Sequence, residues 1–260
     1  MKISVITATW NSGKTVGDTL RSVLGQSYHD VEHIVKDGAS SDNTLEIVGG
    51  YVDKYGKARK MLRIVSGKDK GIYDAMNQGI GAATGDVIGI LNSDDFFTGD
   101  DVLERVADEF SKDPGLEAIY GDIHFVKDTD LTKCTRYFSS RFFRPWMLRF
   151  GFMPAHPSFY VRREVYEKYG LYDLDFRTSS DFEMMVRLFV KYKIHAKYVN
   201  KDFVTMRAGG ESTAGLAAKR KVNRDIAGSL RKHGIRSNQL LQSLRYVWRV
   251  GELAYTKLKY

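Results

Sequence analysis

Two adjacent carboxylates, Asp94 and Asp95, close the stretch Gly85-Asp-Val-Ile-Gly-Ile-Leu-Asn-Ser-Asp-Asp95, whose apolar run is too short for a helix. Neighbouring acids at a strand end repel one another, and a hard divalent cation is the commonest way to hold such a pair. A cation that keeps part of its water and is completed by phosphate oxygens is Mg²⁺ or Mn²⁺. Asn-Ser-Asp-Asp is also good turn chemistry, so these residues alone leave both readings open. Asp37 ends a second predicted strand, Val31 to Lys36, where a carboxylate can accept from ribose hydroxyls or a base N–H. Ser40, Ser41 and Asp42 supply caps for the helix that follows, which leaves Asp37 spare for a ligand. With Thr7 and Thr9 closing the first run, three strand ends present one rim, a nucleotide-plus-metal pocket.

The elements that must position these residues are short. Ile3 to Thr9 is a β-branched run, followed by a helical pattern with apolar Val16, Leu20, Val23 and Leu24. Strands are predicted at Val31 to Lys36 and Met61 to Val65, a helix at Ile72 to Ala83, and then the acid-tipped strand. Such alternation specifies βαβ units and a mainly parallel, right-handed sheet of an α/β fold. A helix through Phe110 with Asp100 as cap follows, and then strands at Glu117 to Gly121, Ile123 to Val126 and Phe159 to Arg162, which make the sheet mixed.

With 43% hydrophobic and 28% charged residues the composition is globular, and only four prolines occur, with no linker or repeat. One domain with a C-terminal appendage is expected. The single cysteine, Cys134, excludes an intrachain disulfide or a Cys-cluster metal site and suits a reducing compartment. No signal-type or bilayer-spanning stretch is present, so the expected location is cytoplasmic. The net charge of +8 is concentrated between Arg136 and Arg149 and between Lys219 and Lys259, away from the acid-tipped strands.

Rival chemistries can be weighed on residues. Ala8-Thr-Trp-Asn-Ser-Gly13-Lys14-Thr15 nearly spells a P-loop of an ATP-dependent kinase or ATPase, but Ala8 stands where that loop needs Gly. No G-x-G-x-x-G opens the first helix. Arg136 to Met153 interleaves arginines with aromatics, which suits RNA stacking in a non-catalytic nucleic-acid binder, a membrane interface, or a subdomain folding its aromatics inward. No RNP-like motif accompanies it, so no nucleic-acid partner is expected. From Leu216 the pattern is helical to the end. Leu240, Leu241, Leu244, Val247, Trp248, Leu253 and Ala254 form an apolar stripe flanked by Arg245, Arg249, Lys257 and Lys259, which reads as membrane-surface contact or packing on the domain.

Five stretches in order carry a resemblance over roughly residues 1 to 210. They are Ile3-Ser-Val-Ile-Thr-Ala-Thr-Trp-Asn11, Val35-Lys-Asp37-Gly-Ala-Ser-Ser-Asp42, Asp69-Lys-Gly-Ile-Tyr-Asp-Ala-Met-Asn77, Thr84 to Asp95, and Ser179-Ser-Asp181-Phe-Glu-Met. Together they resemble the family 2 inverting glycosyltransferases of GT-A fold. The resemblance implies a catalytic domain over 1–212, with a nucleotide-sugar half (1–98) and an acceptor half (99–212), and a basic amphipathic helical extension over 213–260. It implies Asp37 on the base or ribose, Asp94 in the ribose and metal region, Asp95 on the cation, and Asp69 helping to hold the nucleotide. Asn92 stands where relatives can carry an acid.

Ser180-x-x-Glu183 before an apolar run is by itself a capping box. The resemblance instead makes Asp181 the catalytic base, which takes the proton of an attacking acceptor hydroxyl. One displacement opposite the departing nucleoside diphosphate inverts the anomeric centre, with no glycosyl-enzyme nucleophile. His156, between Pro154 and Pro157, falls by the acceptor and phosphates in the family. Arg207, before the Gly209-Gly210 turn, is placed to neutralise the leaving diphosphate. The expected contact set for the donor is therefore Thr7, Thr9, Asn11, Asp37, Asp69, Asp94 and Arg207, with Asp95 and Asp94 on Mg²⁺ or Mn²⁺. The expected donor is a UDP-sugar, with a GDP-sugar as the alternative. The expected acceptor is a lipid-linked saccharide in cell-surface polysaccharide assembly, met by a peripheral protein on the inner face of the membrane.

Overall fold

A computed structural model describes residues 1–209 and 215–259; the side chains of 215–217, 246–250, 254–255 and 257–259 lie outside that description. The chain opens with β1 (Ile3–Thr9), α1 (Val16–Leu24), β2 (Val31–Asp37), α2 (Thr44–Gly49), α3 (Val52–Lys57), β3 (Met61–Ser66), α4 (Ile72–Ala82) and β4 (Val87–Ile90). The β-branched runs of β1, β2 and β4 are buried along their whole lengths because helices cover both faces of the sheet. Two cores result. One gathers Val5, Leu20, Val23, Tyr55 and Phe110, and the other gathers Ile6, Ile34, Met76, Ile88 and Phe182, so alternate residues of β1 serve opposite faces.

The second half supplies β5 (Phe96–Phe97), α5 (Val102–Lys112), β6 (Ala118–Val126), β7 (Arg136–Phe138), β8 (Tyr160–Arg162), α6 (Arg163–Tyr169), α7 (Ser180–Val186) and β9 (Ala196–Arg207). The sheet order is β3-β2-β1-β4-β8-β6-β9-β5, with β7 paired to β6. β3, β2, β1 and β4 are parallel, β8 is antiparallel to both β4 and β6, and β9 runs parallel to β6. The chain steps outward from β1 to β2 and β3 and then returns to place β4 on the other side of β1. The carboxyl ends of β1 and β4 therefore flank a topological switch point, where open α/β sheets bind ligands.

Several local expectations change. The two strands predicted over Glu117 to Val126 are one strand, broken in register between Tyr120 and Ile123. The residue before α5 is Asp101, not Asp100, and its carboxylate binds Lys201 instead of capping the helix. Ser179, not Ser180, precedes α7, and Glu183 makes no capping box. It is buried and pairs with Arg187 four residues on and with His233 at 2.8 Å from a distant part of the chain, so its carboxylate meets side-chain donors and not the amide at the helix entry.

The C-terminal region forms α8 (Gly215–Lys232) and α9 (Gln239–Lys259). Both pack on the domain, through Lys232 to Asp173, Arg136 to Glu252 at 2.9 Å, and the Tyr137 amide to the Thr256 hydroxyl at 2.8 Å. Leu240, Leu244 and Leu253 remain exposed. Leu241 is half-buried, whereas the side chains of Val247, Trp248 and Ala254 and the predicted turn over Gly210 to Ser212 lie outside the described residues. In the Arg136 to Met153 stretch Phe143 and Leu148 are buried, whereas Phe142 and Trp146 are 61% and 63% exposed, so the segment is partly subdomain and partly surface.

Candidate active site

At the carboxyl end of β1, Thr7 and Thr9 diverge. The Thr7 hydroxyl lies 3.0 Å from His33 Nε2 in a buried chain that continues through His33 Nδ1 to Tyr55 Oη at 2.7 Å and from Tyr55 to the Leu20 carbonyl. Thr7 is thus committed to the core beneath the rim. Thr9 Oγ1 is buried with no hydrogen-bond partner among the described residues, an orphaned polar atom at the switch point. Asn11 takes a positive φ of 49°, which asparagine tolerates, and its Oδ1 accepts the Ser41 amide at 2.8 Å. That bond ties the loop after β1 to the loop after β2.

Asp37 is not spare. It is fully buried and accepts from the Ser40 amide, the Ser40 hydroxyl at 2.5 Å and the Ser66 hydroxyl at 2.8 Å. The serine expected to cap the next helix turns back to the acid instead, while Asp42 holds the Thr44 amide. Asp42 also accepts the Gly13 amide at 3.0 Å, so the near-P-loop spends its glycine amide on the protein's own carboxylate. Asp69 meets Lys36 Nζ at 3.4 Å and accepts the Gly71 amide at the entry to α4.

Asp95 is buried, accepting from Asn92 Nδ2 at 3.1 Å and the Arg207 amide at 3.3 Å, while Asp94 is half-buried beside it. Burial and then the Asp94 charge push the Asp95 carboxyl well above the usual carboxylate range; burial, with Asp128 adding to it, raises Asp94 as well. The Arg207 guanidinium joins Asp18, Asp128 at 2.9 Å and the Asp94 carbonyl. Among the described residues no three His, Cys, Asp or Glu side chains converge as a metal cluster. Two electrostatically uncomfortable carboxylates with hard oxygen donors nonetheless fit Mg²⁺ or Mn²⁺ completed by water and phosphate.

Asp181 opens α7. Its Oδ1 accepts from Tyr73 Oη at 2.9 Å and from the Phe182 amide at 2.8 Å, and Oδ2 has no protein donor among the described residues. Burial and the Asp181 charge hold the Tyr73 phenol protonated, well above its ordinary range. Asn77, one turn further along α4, clamps Tyr172 through its amide and carbonyl at 2.9 and 2.8 Å. Tyr172 in turn meets His156 Nε2 at 2.6 Å, and burial lowers the His156 pKa, favouring neutral imidazole. Asp181 and His156 line a cavity of about 310 Å³ with Phe125, Phe138, Phe152 and Met206. Met206 precedes Arg207, whose amide binds Asp95, so β9 links the acid pair to the Asp181 cavity.

The structure therefore gathers Thr9, Asn11, Asp37 and Asp69 at one corner, Asp94, Asp95 and Arg207 at the next, and Asp181 with His156 in the adjoining cavity. Sequence reasoning missed Asp18 and Asp128 as partners of Arg207, and Tyr73 as a partner of Asp181. The i, i+4 spacing of Tyr73 and Asn77 is the signal that puts both side chains on one face of α4, turned toward another element.

An α/β domain of this order, with acids at its switch point and a carboxylate in an adjoining cavity, has the layout of a group-transferring enzyme. The chain belongs to glycosyl transferase family 2, whose model matches residues 4–170. It is 28% identical over 197 residues to a PGL/p-HBAD biosynthesis glycosyltransferase of Mycobacterium bovis, covering 76% of this chain and 73% of that protein. It is 32% identical over 187 residues to an uncharacterised glycosyltransferase of Mycobacterium tuberculosis, covering 71% and 68%. The fold is that of the mannosyltransferase PcManGT from Pyrobaculum calidifontis, solved with GDP-Man and Mn²⁺ (TM-score 0.65, 17% identity, 98% of this chain and 73% of that one). It is also that of residues 1–349 of S. aureus TarS in complex with UDP-GlcNAc (TM-score 0.63, 19% identity, 88% and 66%). The chain is a glycosyltransferase.

Proposed function

We propose that the chain transfers a glycosyl unit, with inversion, from a nucleoside-diphosphate sugar to a hydroxyl of a lipid-linked saccharide. The observation that carries this reading is Asp181, held by Tyr73 through Oδ1, in a cavity that β9 joins to the raised-pKa pair Asp94 and Asp95. Thr9, Asn11, Asp37 and Asp69 form the nucleoside corner, with Asp37 shaping the loop around the base through Ser40 and Ser66. Asp94 and Asp95 are the residues that would hold Mg²⁺ or Mn²⁺, a cation that would supply positive charge beside the diphosphate. Arg207, backed by Asp18 and Asp128, keeps that corner assembled. Asp181 Oδ2 takes the proton from the attacking hydroxyl, and the Tyr73 bond fixes the carboxylate plane while that happens. His156 and Tyr172 wall the acceptor side. The solved neighbours that bind UDP, UDP-GlcNAc and GDP-Man support a nucleotide-sugar donor of uridine or guanosine type.

No helix among the described residues is long and apolar enough to cross a membrane. Exposed Phe142 and Trp146 beside Arg141, Arg144 and Arg149, together with exposed Leu240 and Leu244, support peripheral contact with the inner face of the membrane in cell-surface polysaccharide assembly. A thermal-shift screen of nucleoside diphosphates and their sugars with Mn²⁺ tests the donor reading. UDP or GDP should raise the unfolding temperature only with the cation present, and Asp95→Ala should abolish the shift. Stabilisation by ATP that depends on Lys14 and not on Asp95 would replace this reading with the kinase one.

A further inference from the structure

Between α8 and α9 lies a groove of about 660 Å³ lined by Arg220, Arg224, Arg231 and Arg245, with Asn223 and Gln242 among its polar walls and no carboxylate in its lining. Arg220, Arg224 and Arg231 recur along one side of α8, and all three are exposed. Among the described residues none of these three pairs with an acid; the nearest acid in sequence, Asp225, is occupied by the Thr178 amide and hydroxyl. The guanidiniums of Arg220, Arg224 and Arg231, gathered in one concavity without an acid partner among the described residues, repel one another, and the planar fork of arginine matches the oxygens of a phosphate.

Arg245 lines this groove and also the cavity that holds Asp181. Arg245 is thus part of the wall of both, and the Asp181 cavity, with its aromatic walls Phe125 and Phe138, adjoins the groove at that side chain. From this adjacency we infer that the groove binds a phosphate or diphosphate group of the acceptor, while the ring bearing the nucleophilic hydroxyl lies in the Asp181 cavity. The inference rests on Asp181 being the catalytic base and adds to it the substrate class: an anionic acceptor, phosphorylated on the side away from the reacting hydroxyl. A concave site joined to the reaction cavity suits an acceptor's own phosphate better than the broad face of a bilayer, which the exposed aromatics and leucines already serve.

The test is calorimetric titration of inorganic pyrophosphate in metal-stripped buffer at physiological ionic strength, against the wild-type chain and Arg224→Gln/Arg231→Gln. Stripping the cation keeps pyrophosphate from the acid pair, and both arginines are exposed, so the double variant retains its fold. Saturable binding weakened tenfold or more in the variant is the expected result. Phenyl phosphate should bind more tightly than inorganic phosphate, and Phe138→Ala should erase that gain. Pyrophosphate binding that is absent, or equal in the variant, overturns the inference. So does a phenyl group that adds nothing, or a double substitution that abolishes only binding to mixed phosphatidylcholine–phosphatidylglycerol vesicles, which would make the groove a membrane contact. UDP with Mn²⁺ should stabilise wild type and double variant alike; if it stabilises neither, the donor reading fails independently of the groove.

Discussion

The Tyr73 phenol donates to Asp181 Oδ1 across 2.9 Å although the two residues stand 108 positions apart in the chain. The same helix, α4, begins at Ile72, three residues after Asp69, which meets Lys36 at the proposed nucleoside corner. One element therefore sets the spacing between the proposed donor corner and Asp181, the proposed base. Tyr73→Phe removes only a hydroxyl and should lower kcat about tenfold with little change in donor affinity, since a hydrogen bond to a charged group contributes about 1.5–3 kcal/mol. Asp181→Asn should cost about 10²–10⁴-fold for loss of proton transfer. Steady-state kinetics beside nucleotide titrations checks both; a Tyr73→Phe enzyme with unchanged kcat would remove the positioning role.

Asp95 sits in the folded chain with its pKa raised by burial and by Asp94. A raised carboxylate pKa gives stability that is present below the unfolded-state value and is lost as pH rises through the folded-state value. With chelator present, the protein should therefore lose stability as pH rises above the ordinary carboxylate range, and Asp95→Asn should blunt that loss and unfold at a higher temperature at pH about 8. Mn²⁺ should stabilise wild type and leave the variant unmoved. Thermal unfolding with and without Mn²⁺ reads all three, and an Asp95→Asn protein less stable than wild type in chelator would contradict the account.

Arg207 is buried with Asp18, Asp128 and the Asp94 carbonyl on its guanidinium. Lysine offers one ammonium where three acceptors diverge, so Arg207→Lys is not conservative here. It should reduce stability by about 1–3 kcal/mol and weaken UDP–Mn²⁺ binding through the loosened Asp94–Asp95 loop. Denaturant unfolding and calorimetry provide the check.

Gly79 brings α4 against β1. A Cβ there would lie 2.4 Å from Ile6 Cγ2, a side chain that is itself fully buried. Alanine gains about 1 kcal/mol of helix propensity, but overpacking a rigid core costs about 1–3 kcal/mol. Gly79→Ala should be net destabilising and should also disturb Tyr73 and Asn77. A melting temperature equal to or above wild type would show that α4 can shift outward without penalty.

His33 is buried between Thr7 and Tyr55, and burial drives its pKa down to about 3. A depressed pKa gives stability that is complete above the unfolded-state value of about 6.5 and is lost as pH falls toward the folded-state value. Unfolding free energy should decline from pH about 6.5 downward, and the His33 ring protons should not titrate by NMR until the protein itself unfolds.

Much of the frame was legible from pattern alone. The runs at β1, β2 and β4 fall where β-branched alternation and their polar ends put them, because a strand buried on both faces has almost no compositional freedom. Asp37 shows where local reasoning stopped. Counting caps left it spare, yet Ser66, at the end of β3, supplies a donor that no reading of the β2 loop could reveal. Glu183 shows the same limit, since its partner His233 lies beyond the next strand, in the turn that ends α8.

The amino-acid sequence by itself determined the α/β class, the family, and the presence of acids at successive strand ends, because periodicity and turn chemistry act over a few residues. Only the tertiary structure decided that Thr7 belongs to the core, that Tyr73 holds Asp181, that Arg207 is bound by Asp18 and Asp128, and that Arg245 lies between a cavity and a cationic groove. Those relations join residues tens to more than a hundred positions apart, and their energies depend on distance and burial, which exist only once the sheet order is set.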